Sequence, residues 1–472
     1  MSRTVDDAVW AILHEALGLY QDSPRATNWL RHHISRFDSP LRIAVAGRAG
    51  AGKSTVVNAV IGDEVAPIEV PGGQVFTWYQ DGPQPHATVY TRNAPPSDPP
   101  IARVGRRLDI DLGRYESDQI TRIAVDWPAR VLRDATLIDT PPIADEISGE
   151  IAAEADALLY LTPQVHVMDV RFLQSTQDHP VARAAPVNGI LLLSRADEVG
   201  GGRIDALSTA KQIARRHRRD VRVRGLCQNV VAVSGLVGQA GRTMPDSEYV
   251  ALATLAAAQR ADVDGLLLSA DRFMRQAHAL PATTRRELLD RLGLFGVRLA
   301  VALIRQGADT RTKLAAELVQ RSGLNELRDT IGRLFVDRRE VLKARSALLG
   351  LDVVLRMEPR PGAGKLVTDV ERVLAGAHEF HELRLLGGLL SGRTQLPEEL
   401  GTEAERLIGG FGTALDARLG FDRTPTDTEV QAAIYDALGR WREQSESPLL
   451  GSAERDAARV VVRSCEAMLA PS

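Results

Sequence analysis

"LRIAVAGRAGAGKSTVVNAVIG" (Leu41–Gly62) is the stretch on which the reading of this chain turns. "LRIAVAG" is a short apolar run of the kind that is buried on both faces in a parallel sheet, and "KSTVVNAVIG" reads as the start of a helix. Between them, residues 47–55 read GRAGAGKST and satisfy G-x-x-x-x-G-K-[ST] in the context that motif demands, a strand before it and a helix after it. Glycines let backbone N–H groups curl around phosphate oxygens without Cβ clashes, and a helix N-terminus adds a favourable dipole. The pattern assigns Lys53 to the outer phosphates and Ser54 to a Mg2+ ion. Gly47, Arg48, Ala49, Gly50, Ala51, Gly52 and Thr55 complete the cradle. Lys53 is the one lysine in the first 210 residues. A compact ammonium suits this slot where a planar guanidinium does not. A second glycine run, "RPGAGKL" at 360–366, has Pro359 in place of the first glycine and Leu366 in place of the hydroxyl residue, and reads as a loop.

Working outward, further strand patterns fall at 75–79, 87–90, 123–127, 136–138, 157–161, 190–193 and 230–233. Helical or loop stretches separate the later ones, which argues a mainly parallel sheet with helices on both faces. The proline-rich "NAPPSDPPIA" (93–102) reads as a surface loop. Val5, Val9, Ile12, Leu13, Ala16, Leu17 and Tyr20 share one helical face, so the chain opens with an amphipathic helix, expected to end between Phe37 and Pro40. Beyond about residue 245 helical periodicity takes over, with a hinge at "MEPRPGAG" (357–364). The expected fold class is α/β, a P-loop domain with an all-α neck and trunk bundle. Its divisions are an N-terminal neck helix (1–38), the nucleotide domain (39–245), a helical neck and trunk part (246–356), and a second trunk part (357–472).

At 472 residues the chain exceeds one compact core. Its net charge of −3 supplies no overall field toward nucleic acid, although a basic local patch is compatible with it. The cysteines, Cys227 and Cys465, have no metal-ligand spacing and form no disulfide framework, which suits a reducing cytoplasm. The N-terminal stretch carries acids inside its apolar run and is not read as a signal peptide. No apolar run approaches the length of a membrane span.

Two further motifs follow the phosphate loop in order. Asp139 ends the apolar strand "ATLID", where a carboxylate holds Mg2+ directly or through water. "ILLLSRADE" puts Ser194, Arg195 and Asp197 at the carboxyl end of a strand, the ligand edge of such a sheet. Asp197 there accepts from both guanine N–H groups, which adenine does not offer, and the stem of Arg195 covers the base. Ser234, Gly235 and Leu236 in "VVAVSGLVG" match the loop that closes over the base.

These residues, together with "VAPIEVPGGQVFTWYQDG" (65–82), "LIDTPP", "LLLSRADEVGGGRIDAL", "LDRLGLFGVR" and "RSGLNELRDTIGRLF", resemble the mycobacterial isoniazid-inducible dynamin-like GTPases, and the resemblance covers most of the chain. It implies a GTPase domain binding GTP or GDP with Mg2+, a neck built partly from the N-terminal helix, and a trunk whose tip touches lipid. It further implies a cytoplasmic protein peripheral at the inner face of the cell membrane, pairing through its GTPase domains with itself or with a dynamin-like paralogue. The chain departs from that pattern on the γ-phosphate side. Pro142 stands where D-T-P-G has its glycine and has no N–H to give. Gly73 aligns with the switch threonine, and the stretch between Asp139 and "ADALLYL" is short. Retained binding with slow or absent hydrolysis is the expectation. Two readings stay open, a GTPase that remodels or maintains membrane and a non-hydrolysing scaffold beside an active paralogue. A soluble switch acting on RNA is disfavoured by the charge and the few aromatics. "LRLLGGLLSGR" (383–393) and "LIGGFG" (407–412) are the candidate lipid wedges, with a core helix–helix turn the plainer reading of the first.

Overall fold

The computed structural model describes residues 5–67, 74–113, 115–143, 151, 154–178, 186–277 and 279–469. Eight strands form one sheet in the order β10-β9-β8-β1-β7-β2-β6-β3. They are β1 (Leu41–Gly47), β2 (Thr77–Asp81), β3 (His86–Thr91), β6 (Ile120–Trp127), β7 (Ala135–Asp139), β8 (Ala157–Thr162), β9 (Gly189–Leu193) and β10 (Asn229–Ala232). The five strands from β10 to β7 run parallel, β2 is antiparallel to β7, and β3 is antiparallel to β6. The mainly parallel α/β sheet with a large helical region is therefore the fold. β1 is buried at all seven positions. Leu41, Ile43 and Val45 enter one core and Ala44 and Ala46 the other, which is why its sequence does not alternate.

The core that takes Ala44 and Ala46 continues from the sheet through helices as far as Leu318, so the helical sequence after residue 245 begins against the sheet. On the other face lie α3 (Lys53–Ile61) and the later helix Leu324–Leu334, whose Leu324, Leu327 and Ile331 are buried there. A third core joins the two N-terminal helices to the helices Arg339–Met357 and Ala363–Gly376. A fourth unites the helices His378–Leu390, Glu398–Leu407, Asp427–Glu446 and Ser452–Leu469.

Three expectations are corrected, and the open choice at 383–393 falls to its plainer reading. The opening helix is two helices, α1 (Val5–Leu19) and α2 (Pro24–Asp38). Ser23 caps the second, its hydroxyl accepting from the Ala26 N–H at 3.2 Å, and Pro24 opens it, a start signal inside an otherwise continuous periodicity. The proline-rich loop is partly structured. Ser97 exchanges two backbone hydrogen bonds with Val89, at 2.8 and 3.1 Å, and Ile101 opens a hairpin of β4 (Ile101–Val104) and β5 (Arg107–Ile110) that the sequence reading lacked. The run at 360–366 is only half loop, since Gly362 precedes a helix that begins at Ala363 and the Lys365 ammonium donates to Glu15 at 2.6 Å. The lipid wedges are mostly core. Leu383, Leu385, Leu386 and Leu390 pack with Ile434 and Trp441, and Leu407 and Ile408 are buried with them. Burial of amphipathic helices against each other outcompetes exposure of leucines. Among the described residues no helix is long and apolar enough to cross a membrane.

Helix α2 holds a buried histidine. His33 is 1% exposed, neither ring nitrogen has a hydrogen-bond partner among the described residues, and its pKa is lowered to about 3. Burial is the main cause, with Arg36, His32 and Arg42 adding to it. The unfolded chain takes up a proton near pH 6.5 and the folded one does not, so this histidine's contribution to the stability of α2 and its packing should be full above pH 6.5 and decline as pH falls toward 3, by about 1.4 kcal/mol per unit. Amide exchange of residues 24–38 should therefore speed up between pH 7 and pH 5, after correction for intrinsic rates. His33→Leu should flatten that dependence. A wild-type profile already flat would remove His33 as its source.

Candidate nucleotide-binding site

The phosphate loop sits between the end of β1 and the start of α3. Gly47 lies so close to the neighbouring strand that a Cβ would be 2.5 Å from the Leu161 carbonyl oxygen, and Gly50 and Gly52 take φ of +74° and +87°. Three of the motif's glycines are thus demanded by geometry. Lys53 is buried, with its ammonium donating to the Gly47 carbonyl at 3.3 Å. Burial lowers its pKa, and Asp139 opposes that shift. The Ser54 hydroxyl donates to Asp139 Oδ2 at 2.7 Å, while Asp139 Oδ1 is buried without a hydrogen-bond partner among the described residues. Burial pushes the Asp139 carboxyl up to about 6 against the opposing Ser54 hydrogen bond and Lys53 charge. β1 and β7 are adjacent and in register from Leu41 opposite Ala135 to Val45 opposite Asp139, which brings a loop and a carboxylate 85 residues apart to one edge.

The base-reading candidates end at the same edge. Gly47 pairs with Leu161, Thr162 with Leu193, and Leu193 with Ala232, so β1, β8, β9 and β10 finish in line. Ser194 follows β9, Arg195 adopts φ +53°, and the Asp197 side chain has no hydrogen bond or ion pair among the described residues. Arg195 is half-exposed and pairs with Glu198 at 3.3 Å. Ser234 is wholly buried and caps the helix Gly235–Thr243, its hydroxyl accepting from the Val237 N–H. Its side chain is thus committed to the cap, leaving backbone as what this turn offers. Gly235 packs on the phosphate-loop helix, where a Cβ would be 3.1 Å from Thr55 Cγ2, and Leu236 lies in the first turn of its helix. All the residues expected from the sequence converge on one end of the sheet.

The segment after Asp139 has its amides already spent. Thr140 donates from both N–H and hydroxyl to the Val45 carbonyl at 3.3 and 3.2 Å, Pro141 and Pro142 have no N–H, and Ile143 donates to the Gly47 carbonyl at 3.3 Å. From 140 to 143 no backbone donor is left for a phosphate. Gly73 and most of the short stretch before "ADALLYL" lie outside the described residues. Sequence reasoning missed Asp169, which is buried behind the loop, accepts from the Tyr160 hydroxyl at 2.7 Å and the His166 N–H at 2.7 Å, and faces the Arg48 guanidinium at 3.6 Å. Its one sequence signal is an acid in the first turn of the helix Val167–Asp178.

Strand, glycine loop, helix N-terminus and facing carboxylate define the P-loop class of α/β protein. No family model matches the chain. Two proteins named isoniazid-induced protein IniC, from Mycobacterium tuberculosis strains CDC 1551 / Oshkosh and ATCC 25618 / H37Rv, are each 37% identical to it over 488 residues, covering 99% of both chains. The chain belongs to the family of the isoniazid-induced protein IniC. Two solved chains from an oligomerised bacterial dynamin pair described as sensing and tethering membranes align with TM-scores of 0.36 and 0.31. They are 13% and 12% identical and cover 99% of this chain and 75% and 76% of their own, a likeness too low to carry fold or function across.

Proposed function

We propose that this chain binds guanine nucleotide with Mg2+ and acts as a membrane-associated dynamin-like protein with slow or partner-dependent GTP hydrolysis. The observation that carries the reading is the Ser54–Asp139 contact of 2.7 Å beside the buried Lys53. A hydroxyl and a carboxylate with one oxygen unpartnered fit a hard divalent cation. Ser54 and Asp139 would hold that ion, which neutralises charge on the outer phosphates. Lys53 and the loop amides bind the phosphates, and Asp197 with the 194–195 and 234–236 turns orients the base. Residues 39–245 form the nucleotide unit in this reading, with 1–38, 246–356 and 357–472 as neck and trunk. The protein works in the cytoplasm at the inner face of the membrane and pairs through its nucleotide units with itself or with a paralogue.

The exhausted amides from Thr140 to Ile143 favour a second reading, a nucleotide-binding scaffold that does not turn over. Titration with fluorescent GTP and Mg2+, with phosphate release followed alone, with liposomes and with a dynamin-like paralogue, separates the two. Release at the blank rate in all three arms, with binding intact, leaves the scaffold. No binding at all removes both. Pro142→Gly restores an N–H worth about 1.5–3 kcal/mol toward a charged acceptor. Single-turnover hydrolysis should rise by about one to two orders of magnitude, and an unchanged rate would place the fault outside this residue.

A further inference from the structure

Residues 215–224, at the end of the helix Ala206–Arg219 and the turn after it, hold Arg215, Arg216, Arg218, Arg219, Arg222 and Arg224, a dense positive patch on a chain of net charge −3. Three of these are paired, Arg218 with Glu326 at 2.6 Å, Arg222 with Asp220 at 2.9 Å and Arg224 with Glu405 at 3.0 Å. Arg215, Arg216 and Arg219 are exposed and make no ion pair among the described residues. Beside the patch opens a cavity of about 1130 Å3, between the edge strand β10 and the trunk. Arg219 and Arg333 are among the residues that line it. The Arg333 side chain reaches only the Asp329 carbonyl of its own helix, through Nε at 3.3 Å, which leaves its outer nitrogens unpaired among the described residues. Leu389, Leu390, Leu396 and Phe411, the last 48% exposed, also line it, together with Glu398 and with Glu405, which is paired with Arg224. The two stretches read from sequence as lipid wedges therefore end, separately, on the wall of one cavity.

We propose that this cavity takes a single anionic lipid, its phosphate on Arg219 and Arg333 and its acyl chain along the leucines and Phe411. Guanidinium groups match phosphate oxygens in a bidentate fork, and a cavity of about 1130 Å3 is larger than the about 300–1,000 Å3 usual for drug-sized ligands, which leaves room for a headgroup with its acyl chain. A nucleic acid would want a row of aromatic platforms, and Phe411 is the one aromatic on the wall. The inference rests on the membrane-association part of the proposed function and names the lipid chemistry it left open.

The test is calorimetry on the full chain without nucleotide, using dioctanoyl phosphatidylglycerol below its micelle concentration. Dioctanoyl phosphatidylcholine, inorganic phosphate and a single-stranded RNA oligonucleotide are titrated in parallel. The expected result is saturable binding of the glycerol lipid, at least tenfold weaker for each of the other three. Arg219→Glu with Arg333→Glu should weaken it tenfold or more, and so should Phe411→Asp. These side chains are exposed, so the thermal unfolding midpoint should hold. Equal lipid binding by wild type and variants overturns the proposal, as does no lipid binding. Phosphate binding as tight as the lipid assigns the arginines to a free anion, tighter RNA binding assigns them to nucleic acid, and either sinks it. Separate GTP titration of the same samples keeps the two readings apart, since lipid binding without nucleotide binding would remove the phosphate-loop assignment and leave this one standing.

Discussion

Lys53→Ala should cut affinity for GTP by about 3–6 kcal/mol, about two to four orders of magnitude, with little change in stability. The magnitude follows from two contacts to outer phosphates at about 1.5–3 kcal/mol for each hydrogen bond to a charged group. Lys53 is 5% exposed, and among the described residues its ammonium makes one hydrogen bond, a 3.3 Å contact to the Gly47 carbonyl. A buried ammonium with so little around it is poised for an anion, and its lowered pKa states the same cost of burial. Lys53→Arg should not restore affinity, because a planar fork does not fit where Gly47 already lies against the Leu161 carbonyl. Calorimetry with GTP, GDP and Mg2+ reads the loss directly. Wild-type affinity in the alanine variant would move the phosphate site away from residues 47–55.

The parts of this molecule that could be read from sequence are those where local chemistry and tertiary need coincide. β1, the phosphate loop and α3 follow from glycines that only one geometry demands and from an apolar run that only a doubly covered strand explains. Asp139 was legible because it ends such a run, and its partner Ser54 because the motif fixes it. The hairpin of β4 and β5 was not legible, since "ARVGRRLDI" buries little beyond Leu108 and Ile110 and its pairing depends on a turn at Gly105. The leucines at 383–390 could not be placed from sequence because a helix facing lipid and a helix facing other helices carry the same pattern, and only Trp441 and Ile434 across the bundle decide it. Asp169 escaped for a related reason. Its role is set by Tyr160 and Arg48, which the fold brings to it from a strand and from the phosphate loop. The spent amides at 140–143 extend what Pro142 alone implied, because Ile143 could have compensated and is instead turned to Gly47.

A buried ion pair fastens α2 to the start of β8, and Arg36→Ala should release it. The Arg36 guanidinium donates to Asp156 Oδ1 through Nε at 3.0 Å and Nη2 at 2.6 Å, with both side chains almost fully buried. The second oxygen of Asp156 accepts the Arg42 N–H at 3.0 Å, at the start of the strand whose far end is the phosphate loop. Removing the arginine leaves a buried carboxylate with only that amide among these contacts, a loss of about 3–5 kcal/mol for breaking one side of a buried pair. Hydrogen exchange across residues 24–38 should quicken by about two to nearly four orders of magnitude, the same free energy read as local opening. Exchange in the trunk helix Asp427–Glu446, which belongs to a separate core, should stay as it was. Arg36→Lys keeps the charge but not the two-pronged contact and should recover part of the loss. If Arg36→Ala leaves exchange in the neck unchanged, apolar packing alone holds the neck to the sheet. If it loosens the neck without touching nucleotide affinity, Asp156 anchors the neck and does not carry nucleotide occupancy to it along β1.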